Sequence, residues 1–261
     1  MGSSKRLKET FLRDNPTCCF CGGGQPAEEP DHIPSRSMFL NRQWPEGFEF
    51  PACVKCNRET RYDEEIVALI SRVFPDSTGV QQKKEFVKLC ASINKYRPDV
   101  IEEMNASASE KKRAAKKYGI ELEEGLTTND LPFLNIGPLV NEAVSNFSRK
   151  LVLALYYKHA NAILPPQAGI AIRWFSNIEI VNDAIPEELN RYLTGYPNIT
   201  RCNTDLKDQF YYGFAFSECR RFSVFLAFFR KSFAILGAVN LASQKFDLPE
   251  ISKVLGPYVR D

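Results

Sequence analysis

The chain holds 261 residues, 44% hydrophobic and 25% charged, which is enough apolar sequence for a full core and suits a small module joined to a larger domain. Its formal net charge of +2 is too small to announce a nucleic-acid protein by itself. No basic segment followed by an apolar one opens the chain, and its richest apolar stretch, Phe222 to Asn240, is broken by Arg230, Lys231 and Ser232, so neither export nor membrane crossing is expected and the expected location is the cytoplasm.

Residues Met1 to about Asp14 read as a basic lead-in of one or two helical turns, ending at Asn15-Pro16. Beyond Cys18, Gly22-Gly23-Gly24, Pro26, Pro30, Pro34 and Pro45 leave room for short strands and loops but no long helix. Ile66, Leu69, Ile70 and Val73 then recur at helical spacing, so a helix is expected from Asn57 or Arg58 to Phe74, stopped by Pro75. A second domain opens with helices around Lys84 to Asn94 and Pro98 to Tyr118, and Gly125 to Asn135 reads as a loop. A strong amphipathic helix is expected from Pro138 to Ala160, with Val140, Val144, Phe147, Leu151 and Ala154 along its stripe. Gly169 to Phe175 reads as a strand, Pro186 to Leu193 as a short helix, and the remainder as sheet. There Phe210, Tyr212, Phe214 and Phe216, then Phe222, Val224, Leu226 and Phe228, alternate with period two, as the core-facing side of a half-buried antiparallel sheet does. The expected fold class is α+β, divided into residues 1–76 and 77–261.

Of the eight cysteines, five crowd into the first 56 residues, a distribution that suits metal binding better than a disulfide scaffold. Cys18-x2-Cys21 and Cys53-x2-Cys56 each present two sulfurs on one side of a tight turn, the ligand set of a closed tetrahedral structural zinc. Cys19 is the competitor, but with Cys21 it leaves only one intervening residue. Cys90, Cys202 and Cys219 read as small buried thiols. Between the pairs lie Asp31 and His32, and Asn57 follows the last cysteine directly. Neutral imidazole can take a proton from water near neutral pH, so His32 is the candidate general base. Asp31 and Asn57 offer hard oxygen ligands to a catalytic divalent ion such as Mg2+ or Mn2+. Arg36, Arg58 and Arg61 flank these residues and either clamp a phosphate or face solvent. A lysine-rich stretch, Lys83 to Lys117, either tracks phosphates or forms a solvated helix face.

Cys18-Cys19-Phe20-Cys21, Asp31-His32-Ile33-Pro34 and Ala52-Cys53-Val54-Lys55-Cys56-Asn57 together resemble the HNH (ββα-metal) endonucleases, in the zinc-knuckle branch that includes recombination endonuclease VII. The chain also looks like bacterial HNH proteins of unassigned role in which the last knuckle leads to an acidic helix start, here Tyr62-Asp63-Glu64-Glu65. The resemblance covers residues 15 to 75 and implies a ββα-metal module in which Asp31 and Asn57 hold the catalytic metal and His32 activates water. It also implies hydrolysis of phosphodiester bonds, with double-stranded DNA the expected substrate and 5′-phosphate and 3′-hydroxyl ends the products. Two positions depart from the pattern. Asn41 is the one candidate for the middle asparagine, and Asn57 stands where a histidine is often found, with Glu59, Thr60 and Asp63 as auxiliaries. The larger C-terminal part would then choose the substrate, a protein partner or a second copy of the chain. The alternative is a non-catalytic zinc module that binds nucleic acid or protein.

Overall fold

The computed structural model describes residues 3–73, 80–120, 125, 127–128, 133–246 and 253–258. It is an α+β fold in which helices and one antiparallel sheet share a hydrophobic core with an N-terminal cysteine cluster. The expected boundary between residues 76 and 77 lies outside the described residues. Among the described residues no helix is long and apolar enough to cross a membrane.

The chain opens with α1 (Ser3–Asp14), a 12-residue helix where one or two turns were expected. Its end is tied down: Asn15 returns its amide to the Phe11 carbonyl at 3.0 Å and accepts from the Tyr157 hydroxyl at 2.8 Å. Two short antiparallel strands follow, β1 (Glu29–His32) and β2 (Glu49–Ala52), paired in the register Asp31 opposite Phe50 and His32 opposite Glu49. The residues between them make two 3-10 turns, Arg36–Met38 and Leu40–Arg42.

The single helix expected from Asn57 or Arg58 is in fact two, α2 (Val54–Glu59) and α3 (Arg61–Ile70), and its expected end at Phe74 lies outside the described residues. The break falls at Thr60, whose hydroxyl is drawn into the core between Glu64 and Lys150. Beyond α4 (Val80–Tyr96), the helix expected from Pro98 to Tyr118 also divides, into α5 (Pro98–Met104) and α6 (Ala108–Lys117). Here the cause is a capping box: Ser107 accepts from the Glu110 amide while Glu110 accepts from the Ser107 amide, which starts a new helix.

α7 (Pro138–Ala160) has the expected bounds and carries the core from the knuckle to the sheet, packing on α3 and on the sheet strands. After β3 (Gly169–Ser176) come α8 (Asn177–Val181), α9 (Glu187–Tyr192) and a small hairpin, β4 (Thr200–Arg201) and β5 (Thr204–Asp205). Cys202 and Asn203 both have positive φ, as a two-residue hairpin turn requires. β6 (Tyr211–Phe216), β7 (Phe222–Phe229), β8 (Phe233–Asn240) and β9 (Lys253–Leu255) complete a five-stranded antiparallel sheet of order β6-β7-β8-β3-β9. α7 lies so close on this sheet that a Cβ at Gly237 would run into Val152.

One expected face is reversed. In β7 the inward residues are Ser223, Phe225, Ala227 and Phe229, whereas Phe222 is 50% exposed. Pairing explains this, because Tyr212 sits opposite Ala227 and Phe214 opposite Phe225, and cross-strand partners share a face. Both faces of β7 are apolar in sequence, so alternation alone could not choose between them.

Candidate functional site

Each cysteine pair is shaped by its own turn. Gly22 and Gly23 have φ of +65° and +81°, and a Cβ at Gly22 would stand 2.9 Å from Cγ of Pro166, so that turn needs glycine for its backbone and for its neighbour. In the second pair Cys53 caps α2, its Sγ accepting from the Cys56 amide at 3.4 Å. The Sγ atoms of Cys18, Cys21, Cys53 and Cys56 lie within 4.8 Å of one another, and all four residues are buried. Zinc–sulfur bonds of ~2.3 Å give tetrahedral sulfur–sulfur edges of about 3.8 Å, so these sulfurs need only small shifts to close on one ion. Cys18 is held down to about 5, chiefly by its hydrogen bond with Cys56, while burial pushes Cys21 up to about 11. A thiolate is thus already present to recruit a soft cation, whose charge would deprotonate the rest. Cys19 is buried beside the cluster but outside it, and burial keeps its thiol protonated. These four buried cysteines could hold a structural metal such as zinc. Of the three cysteines expected to be buried thiols, Cys90 is half-buried and Cys202 and Cys219 are exposed.

Asp31 and His32 are neighbours on β1 and turn to opposite sides of it, as strand geometry dictates. Asp31 faces the core, 5% exposed, with Oδ2 2.6 Å from Nζ of the fully buried Lys150. Lys150 also donates to Glu64 Oε1 at 2.9 Å and to Thr60 Oγ1 at 2.7 Å, and Thr60 donates in turn to Glu64 at 2.8 Å. Burial works to strip the Lys150 proton, but Asp31 and Glu64 reverse it and hold the ammonium well above the ordinary lysine range. Burial raises Asp31 against the pull of Lys150, and pushes Glu64 up to about 7. One ammonium is therefore shared between a carboxylate and a group that is half protonated near neutrality.

His32 faces the other way, into a cluster of a different kind. Its Nε2 is 2.6 Å from Arg36 Nη2 and 3.2 Å from Glu49 Oε1, and its ring meets Trp44 edge-on at 4.8 Å. One ring nitrogen cannot accept from a guanidinium and donate to a carboxylate together. Burial, and then the Arg36 charge, lower the proton affinity of His32, so the consistent assignment is a neutral ring whose Nε2 lone pair accepts from Arg36.

The remaining sequence candidates are less engaged. Asn57 is half-buried on α2, and among the described residues its side-chain amide makes no hydrogen bond. Arg58 and Arg61 are exposed and form no ion pair among the described residues. Asn41 is exposed, with its backbone at φ +53° and its amide donating to Glu85. The lysines of α4 and α6 are exposed, apart from the half-buried Lys111. His159, the chain's other histidine, shares a hydrogen bond with the Tyr212 hydroxyl at 2.8 Å and stacks on Phe214, and burial takes it down to about 4, a packing role.

The residues that sequence reasoning missed are Lys150, Trp44, Glu49 and Arg201, and it gave Glu64 no role. For Lys150 a signal existed: it lies three residues after Phe147 on the apolar stripe of α7, where a charge needs a buried partner. The molecule is defined by this much: an α+β protein built around a four-cysteine knuckle of the zinc-binding type. Comparison with protein-family models, curated proteins and solved structures finds no match.

Proposed function

We propose that the chain is a nuclease of HNH type that hydrolyses phosphodiester bonds of nucleic acid, with double-stranded DNA the expected substrate. The observation that supports this most is the order β1, β2, α2 closed by the four cysteines, with a neutral histidine ending the first strand beside arginines that have no carboxylate partner among the described residues. His32 Nε2 takes the proton of the attacking water as its oxygen bonds to phosphorus, the bond from phosphorus to the 3′ oxygen breaks, that oxygen leaves as a hydroxyl with a proton from solvent, and Arg36 neutralises the phosphate. At present Arg36 occupies the very lone pair a base would use, so its transfer to a phosphate oxygen is what frees Nε2.

The Mg2+ or Mn2+ ion implied by the resemblance does not fit Asp31 as that residue stands. Its carboxylate is buried and neutralised by Lys150, and a dication added there would face the ammonium. No step is therefore assigned to that ion. The same ion pair favours a second reading, a zinc-braced module that binds nucleic acid without cutting it. Plasmid nicking with added Mg2+ or Mn2+ separates the two: wild type nicks and His32→Ala does not if His32 is the base. Equal nicking by both removes His32 from the chemistry, and no nicking by wild type that still binds DNA selects the second reading.

A further inference from the structure

We infer that the substrate site is composite: Arg201, from the β4–β5 hairpin far along the chain, forms with Arg36 a two-pronged clamp for the phosphodiester backbone, built on the ring of Trp44. Only the identity of the ligand rests on the nuclease reading; the clamp itself rests on geometry. Arg36 Cζ lies 3.8 Å and Arg201 Cζ 4.0 Å from the Trp44 ring centroid. Two guanidiniums cannot both come that close on one face, so the indole is sandwiched between the two cations.

This arrangement is held in place from the knuckle side. The Glu46 amide donates to the Thr200 carbonyl at 3.0 Å, and Glu46 Oε1 accepts from the Cys202 amide at 2.9 Å, so the hairpin is pinned on both sides of Arg201. The charges are left unspent. Among the described residues no carboxylate pairs with Arg36, Arg42 or Arg201. Burial first of all, and then Arg42 and Arg201, disfavour the Arg36 charge, against one nearby carboxylate, Glu49. The Arg36 Nε is buried and has no hydrogen-bond partner among the described residues. Like charges gathered on one aromatic platform beside an orphaned donor call for an anion. Prongs on opposite sides of an indole reach two groups of a polyanion better than one small ion.

Trp44 makes the test direct, because Trp174 is the only other tryptophan. In a Trp174→Phe protein loaded with zinc, Trp44 emission is titrated with a short DNA duplex at several salt concentrations, without added Mg2+ or Mn2+. The expected result is a change in Trp44 emission, with Arg201→Ala weakening binding about 10-fold and lowering the salt slope by about one. Arg201→Lys, which keeps charge and fold, recovers the slope but not the full affinity. Wild-type affinity and slope in Arg201→Ala would overturn the clamp, as would inorganic phosphate matching the duplex in affinity and emission change. The two readings fail separately: His32-dependent nicking with no effect of Arg201→Ala leaves the nuclease and removes the clamp. Arg201-dependent binding without any nicking does the reverse.

Discussion

Replacing Lys150 by methionine removes the one cation between two carboxylates that have almost no access to water. Lys150 is 0% exposed, Asp31 5% and Glu64 8%. With the ammonium gone, Asp31 must take a proton to remain where it is. For a group with an ordinary pKa of 3.8 that burial already raises in the wild type, doing so at pH 7 costs at most about 4 kcal/mol, at ~1.36 kcal/mol per pKa unit. Glu64, already raised to about 7, takes its proton at little further cost. The methionine refills most of the volume, so the expected loss of stability is at most about 4 kcal/mol, comparable with the ~3–5 kcal/mol typical of a broken buried ion pair. At pH 5 the same reasoning leaves at most about 1.6 kcal/mol, because Asp31 is then little more than one unit from its ordinary pKa. Guanidinium unfolding of the zinc-loaded protein, followed by far-ultraviolet circular dichroism at both pH values, measures the difference. Asp31→Asn added to Lys150→Met should recover most of the loss at pH 7. A loss under about 1 kcal/mol at pH 7, or an equal loss at both pH values, would refute the claim that Asp31 is a buried, paired carboxylate.

Elemental analysis should find one zinc per chain in wild type and less than one in Cys53→Ser, and a chelator that strips the ion should expose the segment around residues 18–56 to proteolysis. Glu64 carries a pH dependence of definite sign. Its folded pKa is raised from 4.5 to about 7, so the native state keeps a proton that the unfolded chain has released across that window, and stability falls as pH rises through it. The fall is at most about 3 kcal/mol. His159, lowered from 6.5 to about 4, acts oppositely, gaining stability as pH rises through its own window, so the measurement is the difference between wild type and Glu64→Gln, in which His159 cancels. In the sheet, Phe225→Ala should cost about 3–5 kcal/mol and Phe222→Ala under about 1, and the reverse order would return β7 to the face expected from alternation.

Where one periodic signal governs an element, sequence suffices. The α7 stripe predicts Pro138 to Ala160, and Asn161, in the left-handed conformation, ends the helix there. Where two signals compete, it does not. The helix expected from Pro98 to Tyr118 follows apolar spacing and overlooks Ser107-x-x-Glu110, a capping box written plainly in the chain. The division at Thr60 has no such local mark, because it depends on Lys150, far away in sequence. β4 and β5 are two residues each, too short for any alternation, yet they deliver Arg201 to Trp44.

The cysteine cluster was legible for a similar reason: ligand spacing is a local property, and each Cys-x2-Cys turn fixes two sulfurs irrespective of the rest of the fold. Asp31 and His32 are harder. Adjacent letters suggest a shared site, but β1 sends adjacent side chains to opposite faces, and which face meets the core is decided by the element packed against it. That element is α7, and it meets Asp31 with a lysine. A cation built into the chain thus neutralises the carboxylate that the motif would give to a divalent ion, while His32 and its arginines stay on the outer side of the hairpin. Any activity of this protein must be explained from that division. Either Asp31 leaves Lys150, whose ammonium then keeps Glu64 alone as its counter-charge, or the chemistry proceeds from the His32 face without it.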